Sequence, residues 1–508
     1  MREEDQAERN VRVAPSLDEV SGLAAAGDYA RVPIACEMLS DVASPIECLR
    51  RLQRVSGHCY LLESAEPGAA RGRWTFLGFD PSLELSCRGA GTHVREGGTE
   101  RTFDEPPAQV IRRVLAEHRA PRVEGMPPFA GGLVGYFSFE YFGHVEPTAL
   151  PDLPDATDDE GFNDVDLMLF ERVVAYDSYR QKIVLVANVD VSDPTRVAEA
   201  YDRACADLLR LRDLVRHGEP ATSVPGRMTS PLTPRFSEAA YCDMVAAAKR
   251  HIQEGDIFQV VLSNRLAADF EGSLLDCYRV LRTTNPSPYL FYLASADLEL
   301  AGASPETLVK LEDGVLHTFP LAGSRPRGAT PEADEALATE LLADEKELAE
   351  HNMLVDLGRN DLGRISEFGS VSVERHLEVQ RYSHIMHLAS SVRGRIRDGL
   401  DALDAVGSLL PAGTLSGAPK IRACQVIREL EGDRRGIYGG TVGYLDLTGN
   451  LDVCIGIRLA YHRGGRVYVR AGAGIVADSV PEKEYQECHN KARAVVEALE
   501  AAQGGLDR

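Results

Sequence analysis

Short apolar runs recur along this chain from one end to the other, and they constrain its fold more than any other feature. In the first half they are CYLLES (59–64), GGLVGYFSF (131–139), DLMLFERVVAYD (166–177) and KIVLVANV (182–189). The second half adds FQVVLS (258–263), YLFYLA (289–294), GGTVGYLDL (439–447), CIGIRLAYH (454–462) and VYVRAGAGIV (467–476). These runs are rich in β-branched and aromatic residues, and glycine pairs open several of them. Thr448-Gly449-Asn450 and Arg463-Gly464-Gly465 read as hairpin turns between neighbours. Helical segments are interspersed, but no regular strand–helix alternation points to a parallel doubly wound sheet. AGAGIV (471–476) lacks a third glycine at the dinucleotide spacing and opens no helix, so it is not a nucleotide-binding turn. The expected class is α/β of the α+β type, with mostly antiparallel strands.

At 508 residues the chain can bury a large core, as two or more domains or as one composite unit. Its clearest break is HGEPATSVPGRMTSPLTPRF (217–236), rich in Pro, Ser, Thr and Gly, which reads as an exposed linker. The expected division is an N-terminal region 1–216, the linker 217–236 and a C-terminal part 237–508. A charged helical stretch at about 195–215 precedes the linker. After it Ser237 caps a helix with Tyr241, Met244, Val245, Ala248 and Ile252 at helical spacing, stopped by Gly255.

Asp and Glu outnumber Lys and Arg by 78 to 55, a net charge of −23. That argues against a nucleic-acid partner, which requires concentrated positive charge. It also repels an anionic substrate at long range, so such a substrate would need local cations, a metal or oriented backbone amides. No apolar run approaches the roughly 18 residues of a membrane span, and MREEDQAERN (1–10) lacks the apolar core of a secretory signal. Cytoplasmic residence without a membrane partner is expected. The ten cysteines are scattered, as suits reduced, buried thiols rather than a disulfide framework or a zinc site.

Several side chains could carry chemistry. Gln259 places one amide in an otherwise apolar run, where alternation puts it on a face with Ile257, Val261 and Ser263. A buried amide without partners costs about 1–3 kcal/mol, so it needs a hydrogen bond. Glu347 and Glu350 share one helix face, Glu484 and Glu487 share another, and Lys491 lies one turn beyond Glu487. Paired carboxylates suit a hard cation such as Mg²⁺. Capping boxes at Asp344…Glu347 and Ser479…Glu482, or solvated helix faces, would give the same letters. Arg458 ends an apolar run and calls for a carboxylate, from protein or substrate. Glu306 and His387 are candidate proton-transfer groups. The glycine-rich turns 320–328, 411–420, 438–443 and 471–475 can present N–H groups to an anion, or simply connect strands.

Among the longest distinctive words are GDIFQVVLS (255–263), NPSPYLFYL (285–293), GASPET (302–307), PLAGSRPRG (320–328), LAEHNMLVDLGRNDLGR (348–364), SHIMHLASSVRG (383–394), PAGTLSGAPK (411–420), YGGTVGYLD (438–446) and AGAGIVADSVPEKEYQE (471–487). With these words in this order the chain resembles the chorismate-utilising enzymes, most closely the large subunits of anthranilate synthases, from about Cys36 to Leu499. The resemblance implies an antiparallel β-sandwich core with outer helices and an active site in a cleft. It implies Glu350 and Glu487 as Mg²⁺ ligands, with Glu347 and Glu484 supporting them, and a metal that grips the ring carboxylate of chorismate. It implies that Tyr438, Arg458 and the backbone at Gly472 and Gly474 clamp the enolpyruvyl carboxylate. Lys491 is then a second cation, Gly323 and Ser324 a substrate-contacting turn, and Glu306 the general acid. His387 and Thr414 would orient or polarise ring substituents.

Two positions separate the chemistries of such enzymes. Relatives that add water carry a lysine where this chain has Gln259, and a neutral amide cannot act as that base. Aminodeoxychorismate synthases usually carry an attacking lysine where this chain has Ala322. The resemblance therefore implies ammonia as nucleophile, release of pyruvate and anthranilate, and the first step of tryptophan biosynthesis. Ammonia would come from a separate glutamine amidotransferase subunit. Glu63, Ser64, Asn285, Pro286, Tyr289, Leu290 and Phe291, with Cys454, match the family's site for feedback inhibition by L-tryptophan; apolar strands of a shared core would look alike. The alternatives are an aminodeoxyisochorismate synthase, which stops before pyruvate leaves, and a non-catalytic chorismate-binding relative. Where the family commonly has Thr after the arginine of the clamp run, this chain has Arg458-Leu459-Ala460.

Overall fold

The computed structural model describes residues 11–65, 72–151, 157–158, 160–381 and 385–506, without the side chains of Ser324 and Ile385. The apolar runs form the antiparallel ladders that their turns require. Thr441–Asp446 pairs back on Leu451–Ile455, and Leu459–Arg463 pairs back on Arg466–Ile475. In the second hairpin Gly464 and Gly465 take φ of 59° and 75°, the left-handed pair that a tight two-residue turn needs. The strands assemble into a 14-stranded and a 12-stranded sheet.

The two sheets face each other. Tyr60, Phe76, Val184, Leu300 and Tyr461 of the larger sheet pack with Val134, Tyr136, Phe170 and Val442 of the smaller one in a single buried cluster. Strand alternation sends the next residues outward: Leu61 and Val174 meet a helix layer, while Tyr60 and Val173 stay in the sandwich. On the larger sheet that layer contains Val197–His217, Leu275–Thr284 and Pro481–Ala502, through residues such as Leu208, Leu281 and Val495. On the smaller sheet it contains Pro107–Glu117, Glu345–Gly363 and Ala402–Leu409, through Ile111, Val355 and Val406. Each large apolar side chain buried in this way contributes about 1.5–3 kcal/mol. Among the described residues no helix is long and apolar enough to cross a membrane.

Two runs that read as single strands are each two strands in different sheets. In 166–177 the chain leaves Val165–Phe170 in the smaller sheet and enters Arg172–Asp177 in the larger one, turning at Glu171. In 454–462 it leaves Leu451–Ile455 and enters Leu459–Arg463 after Gly456-Ile457-Arg458.

The stretches before and after 217–236 share both sheets. Cys59–Glu63 pairs with Tyr289–Ala294, and Gly132–Phe137 pairs with Thr441–Asp446. The segment 217–236 itself is exposed for most of its length but not free. Arg227–Met228 and Thr233–Pro234 both pair with the long strand Gln259–Glu271. The helix expected after Ser237 spans Glu238–Gln253, and the Ser237 hydroxyl accepts from the Ala240 N–H.

Candidate active site

One wall of the cleft is the ladder between Gln259–Glu271 and Arg466–Ile475, in which Val261 faces Gly474 and Ser263 faces Gly472. Gln259 is only half-buried, and its ladder begins at that residue. The alternation therefore does not reach back to Ile257. That side chain packs instead with Val260 and Leu262, on the opposite face from Gln259. A Cβ at Gly474 would stand 2.9 Å from the Gln259 amide nitrogen, and one at Gly472 would stand 2.7 Å from the Tyr438 hydroxyl. The two glycines thus leave the room those polar groups occupy.

Glu306 follows the strand Leu298–Ser304 and leads into Thr307–Glu312. Its carboxylate accepts a hydrogen bond from Thr414 Oγ1 at 3.2 Å. Burial raises its pKa to about 7, against the opposing pull of Thr414, Arg458 and Lys491. A carboxyl poised near neutrality can deliver a proton to a leaving group.

Arg458 sits at the crossing between sheets with φ of 51°, in the left-handed region that a non-glycine residue rarely adopts. Burial disfavours its charge while Glu306 favours it. Arginine nevertheless keeps its proton in proteins. Among the described residues its guanidinium has no ion pair, so a fixed cation stands in the cleft.

His387 donates from Nδ1 to the Gly323 carbonyl at 3.0 Å. Burial, then the Gly323 bond and Arg458, act on the ring, and the net effect lowers its pKa. A neutral ring protonated on Nδ1 leaves the Nε2 lone pair as an acceptor. Gly323 takes φ of 67°, and a Cβ there would lie 3.1 Å from Glu347 Oε2. Ser324 faces His387 in the ladder, but its side chain lies outside the described residues. Ala322 is buried.

The paired carboxylates stand at the starts of two helices. Asp344 caps Glu345–Gly363 by accepting from the N–H groups of Lys346 and Glu347, so that part of the capping alternative is realised. Ser479 is not the corresponding cap of Pro481–Ala502, where Val480 holds that position. Its hydroxyl accepts from the Val476 N–H. Glu347 is held above the ordinary carboxylate range by burial and then by Glu350 and Asp344. Glu484 is raised by burial and by Glu487, and lowered by Ser479, Lys491 and Lys346. Lys346 belongs to the other helix, so its charge is near enough to act on Glu484.

Lys491 pairs with Glu487 at 2.7 Å and donates to the Gly472 carbonyl at 3.1 Å, tying the acidic rim to the glycine wall. No three of the four glutamates bring their oxygens within 4.8 Å of one another. The carboxylates are hard oxygen donors of the kind a divalent cation takes, and Glu347 and Glu484 are raised by burial and neighbouring charge. Two other described groups place three potential ligand atoms that close: Cys87, His144 and Asp164, and His251, Glu254 and Asp256. Asp164 is already taken by His144, Arg434 and the Gly89 N–H, and Asp256 by His251 and Arg422, while Glu254 is exposed.

A separate cavity of about 120 Å³ is lined by Leu62, Glu63, Ser64, Tyr289, Phe291 and Cys454, among others, with Leu290 also on its wall. Asn285 and Pro286 are not in that lining. Asn285 ends Leu275–Thr284, and its buried Nδ2 has no hydrogen-bond partner among the described residues. Glu63 is taken up by the fold: Tyr278 donates to it at 2.6 Å and Arg282 at 2.7 and 2.9 Å. Tyr289 donates to Asp452 at 2.7 Å and accepts from Thr307, the neighbour of Glu306, at 3.0 Å. One of the inhibitor-site candidates is thus hydrogen-bonded to the residue next to Glu306.

Sequence reasoning missed the charged layer behind the cleft. Glu431, Arg435 and Arg470 are buried in contact with Ser263 and Asp433. Removing one partner of such a buried pair typically costs about 3–5 kcal/mol. The one available signal was Arg470 standing inside the apolar run VYVRAGAGIV, where a guanidinium demands an internal partner.

An antiparallel sandwich that sets a buried arginine and a near-neutral carboxyl side by side is the framework of an acid–base enzyme. Residues 57–497 match the chorismate binding enzyme family, and the chain belongs to it. The anthranilate synthase component 1 of Acetivibrio thermocellus is 43% identical over 494 residues, 96% of this chain and 99% of that protein. That of Aquifex aeolicus is 42% identical over 494 residues, 96% and 98% of the two chains. The crystal structure of anthranilate synthase component I from Streptococcus pneumoniae superposes with a TM-score of 0.74 at 37% identity, covering 85% of this chain and 92% of that one. The menaquinone-specific isochorismate synthase of Escherichia coli shares the fold at 18% identity, with a TM-score of 0.67 over 95% and 98% of the chains.

Proposed function

We propose that this chain is the chorismate-converting subunit of an anthranilate synthase: chorismate and ammonia become anthranilate, pyruvate and water. The observation that carries the reading is Glu306, a carboxyl at about 7 held by Thr414 and within reach of the Arg458 charge. The names of the relatives favour ammonia chemistry over hydration, and the neutral Gln259 agrees with that choice.

Chorismate carries two carboxylates. Arg458, the Tyr438 hydroxyl and the backbone at Gly472 and Gly474 receive the enolpyruvyl carboxylate, and Lys491 stands near the ring carboxylate. Glu350 and Glu487, supported by Glu347 and Glu484, would hold Mg²⁺, which supplies the positive charge that a chain of net charge −23 lacks for that carboxylate. Ammonia bonds to the ring carbon beside the carboxylate as the ring hydroxyl departs, and Glu306 gives that hydroxyl its proton so that it leaves as water. His387 and Thr414 orient the ring substituents. Loss of the enolpyruvyl group as pyruvate, with the proton on the amine-bearing carbon, then makes the ring aromatic. A separate glutamine amidotransferase subunit supplies the ammonia. L-Tryptophan inhibits by occupying the cavity beside Ser64 and Tyr289.

The test supplies purified chain with chorismate, Mg²⁺ and an ammonium salt at alkaline pH, follows anthranilate fluorescence, and assays pyruvate in the same tube. Equal yields of the two products, suppressed by tryptophan, are expected. Chorismate consumed without pyruvate moves the reading to a synthase that stops at the amino intermediate. No consumption by folded chain, with or without an added amidotransferase subunit, overturns it.

A further inference from the structure

Arg435 is a fully buried side chain, 1% exposed. Its contacts nevertheless fall on the segments that carry the cleft residues. Nη1 donates to the Leu415 carbonyl at 2.7 Å, one residue from the Thr414 that bonds Glu306. Nη2 donates to the Val261 carbonyl at 2.7 Å, two residues from Gln259 on the same strand face. The guanidinium lies 5.6 Å from the centre of the Tyr438 ring and 4.8 Å from that of Phe139. Nε and Nη2 also fork onto Glu431 at 2.8 and 2.5 Å. Glu431 in turn accepts from the N–H and hydroxyl of Ser263, which faces Gly472 in the ladder.

We propose that Arg435 is the positioning residue of the cleft, one guanidinium that sets the spacing between the segments bearing Thr414, Gln259 and Tyr438. The proposal rests on the anthranilate synthase reading for its kinetic consequence, while its structural consequence is independent of product. Only a planar group with five N–H donors can take two carbonyls on different segments, a bidentate carboxylate and an aromatic face together. The three donors of lysine radiate from one nitrogen and cannot span them. Misplacing Thr414 weakens its bond to Glu306, leaving burial opposed only by Arg458 and Lys491.

The test uses Arg435→Lys in the full chain, with Glu431→Gln made in parallel as a second way to release the guanidinium. Hydrogen–deuterium exchange is read over 259–265, 411–418 and 436–440. Faster exchange confined to these segments, in whichever variant folds, is expected; unchanged exchange there, or loosening spread through the whole chain, overturns the proposal whatever the enzyme makes. With chorismate and ammonia, kcat should fall about ten- to hundredfold, as displacements of about an ångström do. The upper pH limit of the rate should move upward, and Thr414→Val should move it the same way. The double variant Arg435→Lys/Thr414→Val should be no worse than the poorer single one. An unmoved pH limit or additive losses would show that Arg435 does not act through Thr414. If wild-type chain makes no anthranilate, the functional reading fails and the exchange result alone decides the positioning role.

Discussion

Glu306 sets the residue-scale behaviour of the cleft, because its charge state is balanced between burial and its polar neighbours. It acts as an acid only while protonated. Rates expressed per free NH₃ should therefore decline as pH rises through about 7, and kcat/KM reports that limit for the free enzyme. Glu306→Gln should remove the limit and lower kcat by about 10²–10⁴-fold, with chorismate binding retained by calorimetry. Gln259→Lys places a base where hydrating relatives have one; less anthranilate and a hydrated product formed without ammonia should appear by chromatography. The candidate cleft residues could be named from the sequence because they stand in long, distinctive words. Arg435 and Glu431 were not. In EGDRRG (431–436) they look like solvated loop charge, and no sequence pattern says that a carboxylate and a guanidinium turn inward together.

At the scale of elements, the glycine wall separates two kinds of crowding. A Cβ at Gly474 meets only the mobile end of Gln259, whereas one at Gly472 comes within 2.6 Å of the Leu262 carbonyl oxygen as well as the Tyr438 hydroxyl. Gly474→Ala should keep the wild-type melting temperature while raising the KM for chorismate or lowering kcat. Gly472→Ala should lower both activity and melting temperature, since a backbone carbonyl cannot swing aside; differential scanning calorimetry distinguishes the pair. The strands themselves were largely legible from their residue types. The two crossings at Glu171 and at Gly456-Ile457-Arg458 were not, because strands packed on both faces carry no polar alternation and a change of sheet leaves the apolar run unbroken. One of these hidden joints carries Arg458, so the strained backbone and the cation belong to the same turn.

Across the whole molecule, stability carries a pH signature at the base of the smaller sheet. His144, on the short helix Phe142–Val145, bonds Asp164 beside Val165–Phe170. Asp164 and then Cys87 raise its pKa to about 9 from an ordinary 6.5. A folded-state value above the unfolded one means that the stabilisation is complete below 6.5 and is lost as pH rises through 9. The unfolding temperature should therefore drop across that window in the wild type, and the drop should be smaller in His144→Gln. The order of strands has a consequence for how the chain is made. Thr441–Asp446 and Leu451–Ile455 lie between Gly132–Phe137 and Thr307–Glu312, while Leu459–Arg463 and Arg466–Ile475 lie between Leu298–Ser304 and Gln259–Glu271. The ribosome thus delivers the flanking strands first and the bridging ones last. Until the final hairpins emerge, every nascent chain carries four open strand edges awaiting pairing, so a message truncated before residue 441 yields an aggregating fragment rather than a smaller working enzyme.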